Sequence, residues 1–168
     1  MNKSLVLTGM MGVGKSTIGR LVANRLKIKF IDVDKIIEKK EKKTIKRIFE
    51  DHGEKYFRIL EEKTTLKILK NNKSVIALGG GAFINNEIRE KVLSSCVSVW
   101  LKVDLDKLIR RYNKNDKRPL LDKKKLNTDV KKIYQSRKKI YSLANFKINC
   151  DNIDKTKVVK KILNFYEN

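Results

Sequence analysis

The sequence predicts an α/β protein of three layers, with a parallel sheet of about five strands between helices. Three observations predict it. Apolar runs of strand length alternate with longer stretches of helical periodicity from one end of the chain to the other. A glycine-rich loop, Gly9-Met10-Met11-Gly12-Val13-Gly14-Lys15-Ser16-Thr17, stands between the first strand and the first helix. The 168 residues are 40% apolar, enough for one core, and no run of about 18 apolar residues appears that would cross a membrane.

Ser4 to Thr8 reads as a buried strand, and Lys15 to Leu26 as a helix. Phe30 to Val33 is a short strand. Thr44 to His52 is a helix that Gly53 closes as a C-terminal cap. Glu54 to Lys70 carries Phe57, Leu60, Thr64 and Ile68 at helical spacing. Ser74 to Leu78 is a strand stopped by Gly79-Gly80-Gly81. Asn85 to Leu93 is helical, Val97 to Val103 a strand, and Leu105 to Tyr112 a helix. Asn113 to Lys125 is a polar loop around the single proline, Pro119. Leu126 to Leu143 is a long helix, Phe146 to Asn149 a last strand, and Asp154 to Tyr166 a closing helix. No repeat or low-complexity linker interrupts the series, so residues 1–168 are expected to form one domain. Strands and helices alternating this way give a parallel sheet covered on both faces, and ligands bind beyond the carboxyl ends of its strands.

The loop after the first strand matches G-x-x-x-x-G-K-S at every fixed position, from Gly9 to Ser16. Glycines let backbone amides turn inward around phosphate oxygens, and the following helix adds its positive end. Lys15 can reach the β- and γ-phosphates, and Ser16 can ligate Mg²⁺. The motif implies a nucleoside triphosphate without separating a small-molecule kinase from a GTPase or a motor. Asp32 and Asp34 follow the second strand. They share a face if extended geometry persists, one supporting Mg²⁺ beside Ser16 and the other accepting a hydrogen bond from an attacking hydroxyl. The competing reading makes Asp34 a helix cap. The strand Val75 to Leu78 ends in glycine rather than aspartate, so the metal's carboxylate must come from elsewhere, which favours Asp32.

The formal net charge is +22, yet only nine of the 41 basic residues are arginine. The lysines are spread along the chain with no aromatic-interleaved patch. They read as solvated helix faces rather than a nucleic-acid surface, although a positive surface draws in anionic substrates. Cys96 and Cys150 have no metal-ligand neighbours and read as free, buried thiols of a cytosolic protein. The apolar run after Lys3 is too short for a signal peptide. His52, the only histidine, reads as structural.

The ordered set Gly9 to Thr17, Asp32-x-Asp34, Phe57-Arg58-x-x-Glu61, Gly79-Gly80-Gly81, Arg118-Pro119-Leu120-Leu121 and Arg137-x-x-x-Tyr141-x-x-Ala144 resembles the shikimate kinases over nearly the whole chain. The resemblance implies a P-loop kinase fold with substrate-binding helices at about 33–61 and a mobile lid at about 112–125. It implies Mg²⁺-dependent transfer of the γ-phosphoryl group of ATP to the 3-hydroxyl of shikimate, on the route to chorismate and the aromatic amino acids. Gly12, Val13, Gly14, Lys15, Ser16 and Thr17 would hold the nucleotide, with Ser16 and Asp32 on the metal. Asp34 would bind the acceptor's hydroxyls and act as the base. Arg58 and Arg137 would hold its carboxylate, and Gly80 and Gly81 would offer it backbone amides. Arg118 would descend from the lid onto the phosphates, and Arg111, with Arg110 beside it, would flank the adenine. A carboxylate calls for a bidentate fork, which explains arginine at 58 and 137 in so lysine-rich a chain. Glu61, one turn beyond Arg58, can brace it. Phe49 and Phe57 either wall the substrate's ring or pack in the core. The family often carries a proline before its last helix, near the adenine; here Cys150 to Asp154 has none. A cytoplasmic monomer with no nucleic-acid or membrane partner is expected. Two rivals stand beside this reading: a related P-loop kinase of another small carboxylated polyol, and a basic nucleic-acid-binding protein that keeps a P-loop.

Overall fold

Leu5, Val6 and Leu7 are fully buried although consecutive strand residues face opposite ways, so both faces of the sheet are covered at this strand, β1 (Ser4–Thr8). The computed structural model describes residues 3–70, 73–113 and 126–167. Four further strands are β2 (Lys29–Asp32), β3 (Ser74–Ala77), β4 (Cys96–Lys102) and β5 (Phe146–Asn149). They pair in the order β2-β3-β1-β4-β5, every pair parallel, with Leu5 opposite both Val75 and Val97. The expectation of about five parallel strands is borne out. The middle strands β1, β3 and β4 are almost wholly buried, which is why they read as unbroken apolar runs.

The helices are α1 (Lys15–Leu26), α2 (Val33–Glu41), α3 (Ile45–Leu69), α4 (Asn86–Ser95), α5 (Leu105–Asn113), α6 (Leu126–Tyr141) and α7 (Lys155–Glu167). A short 3₁₀ turn, Ala82–Ile84, follows the triple glycine. α1 packs on β3 and α7, α4 on β4, and α2 on α3. Among the described residues no helix is long and apolar enough to cross a membrane.

The chain departs from the sequence reading at the second strand and at Cys150. The second strand stops at Asp32, because the Asp32 carboxylate accepts the Lys35 backbone N–H at 3.3 Å and starts α2. Extended geometry therefore does not persist to Asp34, which lies in the first turn of a helix, and the cap is Asp32 rather than Asp34. Gly53 leaves helical geometry as expected: at φ 78 and ψ 174, a left-handed φ that suits glycine, it ends the first helical stretch, and the chain kinks there before the second stretch of α3. Cys150 is only half-buried, unlike Cys96, because β5 is an edge strand. Residues 114–125, the greater part of the expected lid, and with them Arg118, lie outside the described residues; Arg111 is described only as backbone in α5.

Candidate active site

The phosphate loop runs from the carboxyl end of the middle strand into α1. Gly9 holds φ 132, and a Cβ there would stand 2.6 Å from the Leu101 carbonyl oxygen, so only glycine fits. Gly14 caps α1 with no side-chain hydrogen bond, leaving the N-terminal amides without a side-chain cap. Lys15 is buried, and its ammonium donates at 2.9 Å to the carbonyls of both Gly9 and Met10, inside the curl of the loop. Ser16 Oγ donates to Asp32 Oδ2 at 2.6 Å. One carboxylate thus caps α2 and binds the first helix after the loop. The Val13 side chain packs into the core, so this residue offers the loop its backbone.

Two cavities meet here. One of about 410 Å³ is lined by Gly12, Gly14, Lys15, Ser16 and Thr17. The other, of about 710 Å³, is lined by Arg58, Gly81, Arg137, Phe49, Phe57 and Glu61. Met11, Gly12, Ser16, Asp32, Asp34 and Gly80 line both, so the two form a continuous cleft. Arg58 comes from α3 after the Gly53 bend, and Arg137 from α6. Arg137 Nη1 donates to the Gly80 carbonyl at 3.2 Å, and a Cβ on Gly81 would stand 2.7 Å from Arg58 Cζ. Both guanidinium groups therefore close on the triple-glycine turn. Phe57 is buried and Phe49 half-buried, ring centroids 4.8 Å apart, and both reach the cavity wall, so packing and wall are one arrangement.

Arg58 is held on three donors. Its Nη1 meets Glu61 Oε2 at 2.6 Å, and Nε and Nη2 meet Glu54 Oε1 at 3.1 and 2.9 Å. Burial alone would lower the Arg58 pKa, but the pairs with Glu61 and Glu54 outweigh it and raise it above its usual value. Burial pushes the Glu61 carboxyl up, with Arg58 pulling part of the way back. Asp34 is raised to about 6, first by burial and then by the charge of Glu61, with Lys15 opposing. Asp34 Oδ1 and Glu61 Oε1 are fully buried with no hydrogen-bond partner among the described residues.

Those two oxygens crowd Gly79. A Cβ there would stand 2.8 Å from Asp34 Oδ1 and closer still to Glu61 Oε1. Gly79→Ala is expected to lower unfolding free energy by about 1–3 kcal/mol, since the two buried carboxylates must shift to make room. Urea unfolding checks it, and a midpoint equal to wild type would mean that both side chains give way freely.

The loop Cys150 to Asp154 is tied by side chains instead of a proline: the Asp151 carboxylate accepts the Asp104 N–H at 3.0 Å, and Lys107 donates to Asn152 at 2.6 Å. His52 packs against Tyr56 with tilted rings, centroids 4.6 Å apart, and neither residue lines the cleft. Among the described residues no group of three or more His, Cys, Asp and Glu could hold a metal by itself.

The family model described as shikimate kinase matches residues 11–167. The chain belongs to the shikimate kinase family. Its members are ATP-dependent phosphotransferases, and the fold described above is theirs. The chain is 42% identical over 162 residues to the shikimate kinase of Bartonella henselae, covering 96% of this chain and 77% of that protein. It is 40% identical over 161 residues to that of Sulfurihydrogenibium sp., with 96% of each covered. Among solved structures, the shikimate kinase from Acinetobacter baumannii in complex with shikimate superposes with a TM-score of 0.93 at 30% identity, covering 98% of this chain and 93% of that one. Of the residues assigned to the site from sequence, the cleft gathers those of the loop except Val13, both aspartates, Arg58, Gly80, Gly81 and Arg137. Met11 and the crowding at Gly79 escaped the sequence reading. Neither belongs to a residue type that advertises chemistry, and only the fold brings them between two pockets.

Proposed function

We propose that this chain transfers the γ-phosphoryl group of ATP to the 3-hydroxyl of shikimate. One observation carries the reading: two arginine forks wall a cavity that continues into the phosphate loop. Arg58 and Arg137 would take the acceptor's carboxylate, a planar anion that suits a guanidinium fork better than an ammonium. Gly80 and Gly81 would line its ring. Asp34, at the junction of the two cavities, would orient the hydroxyl and accept its proton. Lys15, with the backbone of Gly12 to Thr17, would hold the phosphates. Arg118 and Arg111 would complete the nucleotide side from a lid at about 112–125, and the whole would act as a single-domain cytoplasmic monomer.

The chemistry of the donor set at Ser16 and Asp32 fits Mg²⁺: a hydroxyl and a carboxylate 2.6 Å apart are hard oxygen ligands, too few for an all-protein cage and suited to an ion shared with a triphosphate. Bound there, Mg²⁺ would neutralise charge on the β- and γ-oxygens. The protein's own part is positioning, and exclusion of water that would otherwise hydrolyse ATP.

A coupled assay of ADP release with ATP, Mg²⁺ and shikimate tests the reading directly. Release that needs shikimate supports it. Release driven instead by another carboxylated polyol would point to a sister kinase on this fold. Arg58→Lys separates the acceptor from the nucleotide. The charge stays but the fork goes, so KM for shikimate is expected to rise about tenfold or more while KM for ATP stays near wild type. An unchanged shikimate dependence would remove Arg58 from the acceptor pocket.

A further inference from the structure

The geometry points to Tyr112 as a positioning residue for phosphoryl transfer, its hydroxyl fixing the Met11–Gly12 peptide that lines both cavities. Tyr112 lies near the end of α5 with its ring in the core, 3% exposed. Its hydroxyl donates at 2.6 Å to the Met11 carbonyl, 101 residues earlier in the chain. A ring that needed only apolar packing would not place its one polar atom on the phosphate loop.

The consequence follows from the planarity of the peptide. The Met11 carbonyl and the Gly12 N–H belong to one rigid unit, so holding the oxygen sets the direction of the N–H. Gly12 has φ 71, a left-handed backbone that glycine adopts without strain. Donation to the carbonyl also polarises the unit and strengthens its N–H as a donor to an anion. On its other side Met11 packs closely against a braced glycine. Its nitrogen lies 3.0 Å from where a Gly80 Cβ would stand, and the Gly80 carbonyl accepts from Arg137 Nη1 at 3.2 Å and from the Tyr141 hydroxyl. Met11 thus lies between the Tyr112 hydroxyl and Gly80. The inference rests on the kinase reading above, since it assigns the anion to be a nucleotide phosphate.

The test is Tyr112→Phe, which keeps the buried ring and removes only the hydroxyl, assayed beside wild type with ATP, Mg²⁺ and shikimate. In the folded variant kcat/KM for ATP is expected to fall about tenfold, while the affinity for shikimate without nucleotide, followed by calorimetry, moves less than about twofold. ATP parameters within about twofold of wild type would overturn the inference. So would a loss shared equally by both substrates and the melting temperature, which is what a packing role alone would give. Tyr112→Met, which fills the space with a flexible apolar chain, is the second variant and is expected to show the same split; if neither variant folds, the role is structural and the inference falls. Wild type lacking shikimate-dependent ADP release would instead remove the kinase reading itself, so the two failures are distinguishable.

Discussion

Lys15→Ala is expected to reduce turnover on the order of 10³-fold, the loss seen when one preorganised donor is taken from a developing charge. The ammonium is buried and already within the loop, donating at 2.9 Å to Gly9 and Met10. That position matters in two ways. It puts a point charge inside the curl proposed to receive the phosphates, where burial limits screening. It also ties two carbonyls of a strand-to-helix turn that would otherwise aim oxygen at an incoming anion. Alanine removes both effects, so the rate is expected to fall with only a modest change in melting temperature. Single-turnover measurements with saturating ATP and shikimate check it. Turnover within about tenfold of wild type would take Lys15 off the phosphates, for tenfold is within the reach of a single surface hydrogen bond.

The loop was legible in the sequence because its chemistry is local. Its glycines act through backbone turns and its lysine through carbonyls of the same loop, so spacing alone carries the message. The parallel sheet was legible for a similar reason, since strands that alternate with helices call for crossover connections. Arg58 and Glu61 were legible as a pair because one helical turn fixes their distance. What the sequence concealed is whatever depends on contacts across long stretches of chain. The Tyr112 hydroxyl on Met11 spans 101 residues, and nothing near either residue hints at the other. The two orphan oxygens at Gly79 come from α2 and α3, which meet the glycine only once β3 is in the sheet. Asp34 was misread in geometry, lying in a helix rather than on the strand, but not in place. Asp32 stands at the end of its strand as expected, and it lies beside Ser16 because both stand at the carboxyl edge of the sheet.

Asp34→Asn is expected to lower turnover by about 10²–10⁴-fold and, at the same time, to make the ligand-free protein more stable. The two effects have one cause. Asp34 Oδ1 is buried without a partner, and Glu61 Oε1, equally unpaired, crowds the same glycine. Charge held in such a place is destabilising, which is why burial and the Glu61 charge raise Asp34 to about 6 from 3.8. An amide of the same size carries no charge and can donate toward Glu61. A shift of this size is worth about 3 kcal/mol at full burial, but the side chain also opens on the cleft, so a gain on the order of 1–2 kcal/mol is expected. The sign with pH is definite. A carboxyl whose folded pKa is raised favours folding while it is protonated, below its unfolded value, and loses that contribution as pH rises through about 6. The variant's advantage should therefore be greatest near pH 8 and shrink by pH 5, in urea unfolding without nucleotide and with the metal chelated. Equal stability of the two proteins at pH 8 would show that the carboxylate pair is not frustrated. Undiminished turnover would show that the acceptor hydroxyl meets some other group, for the same desolvation that weakens the resting protein is what would make the proposed base, Asp34, ready to take a proton.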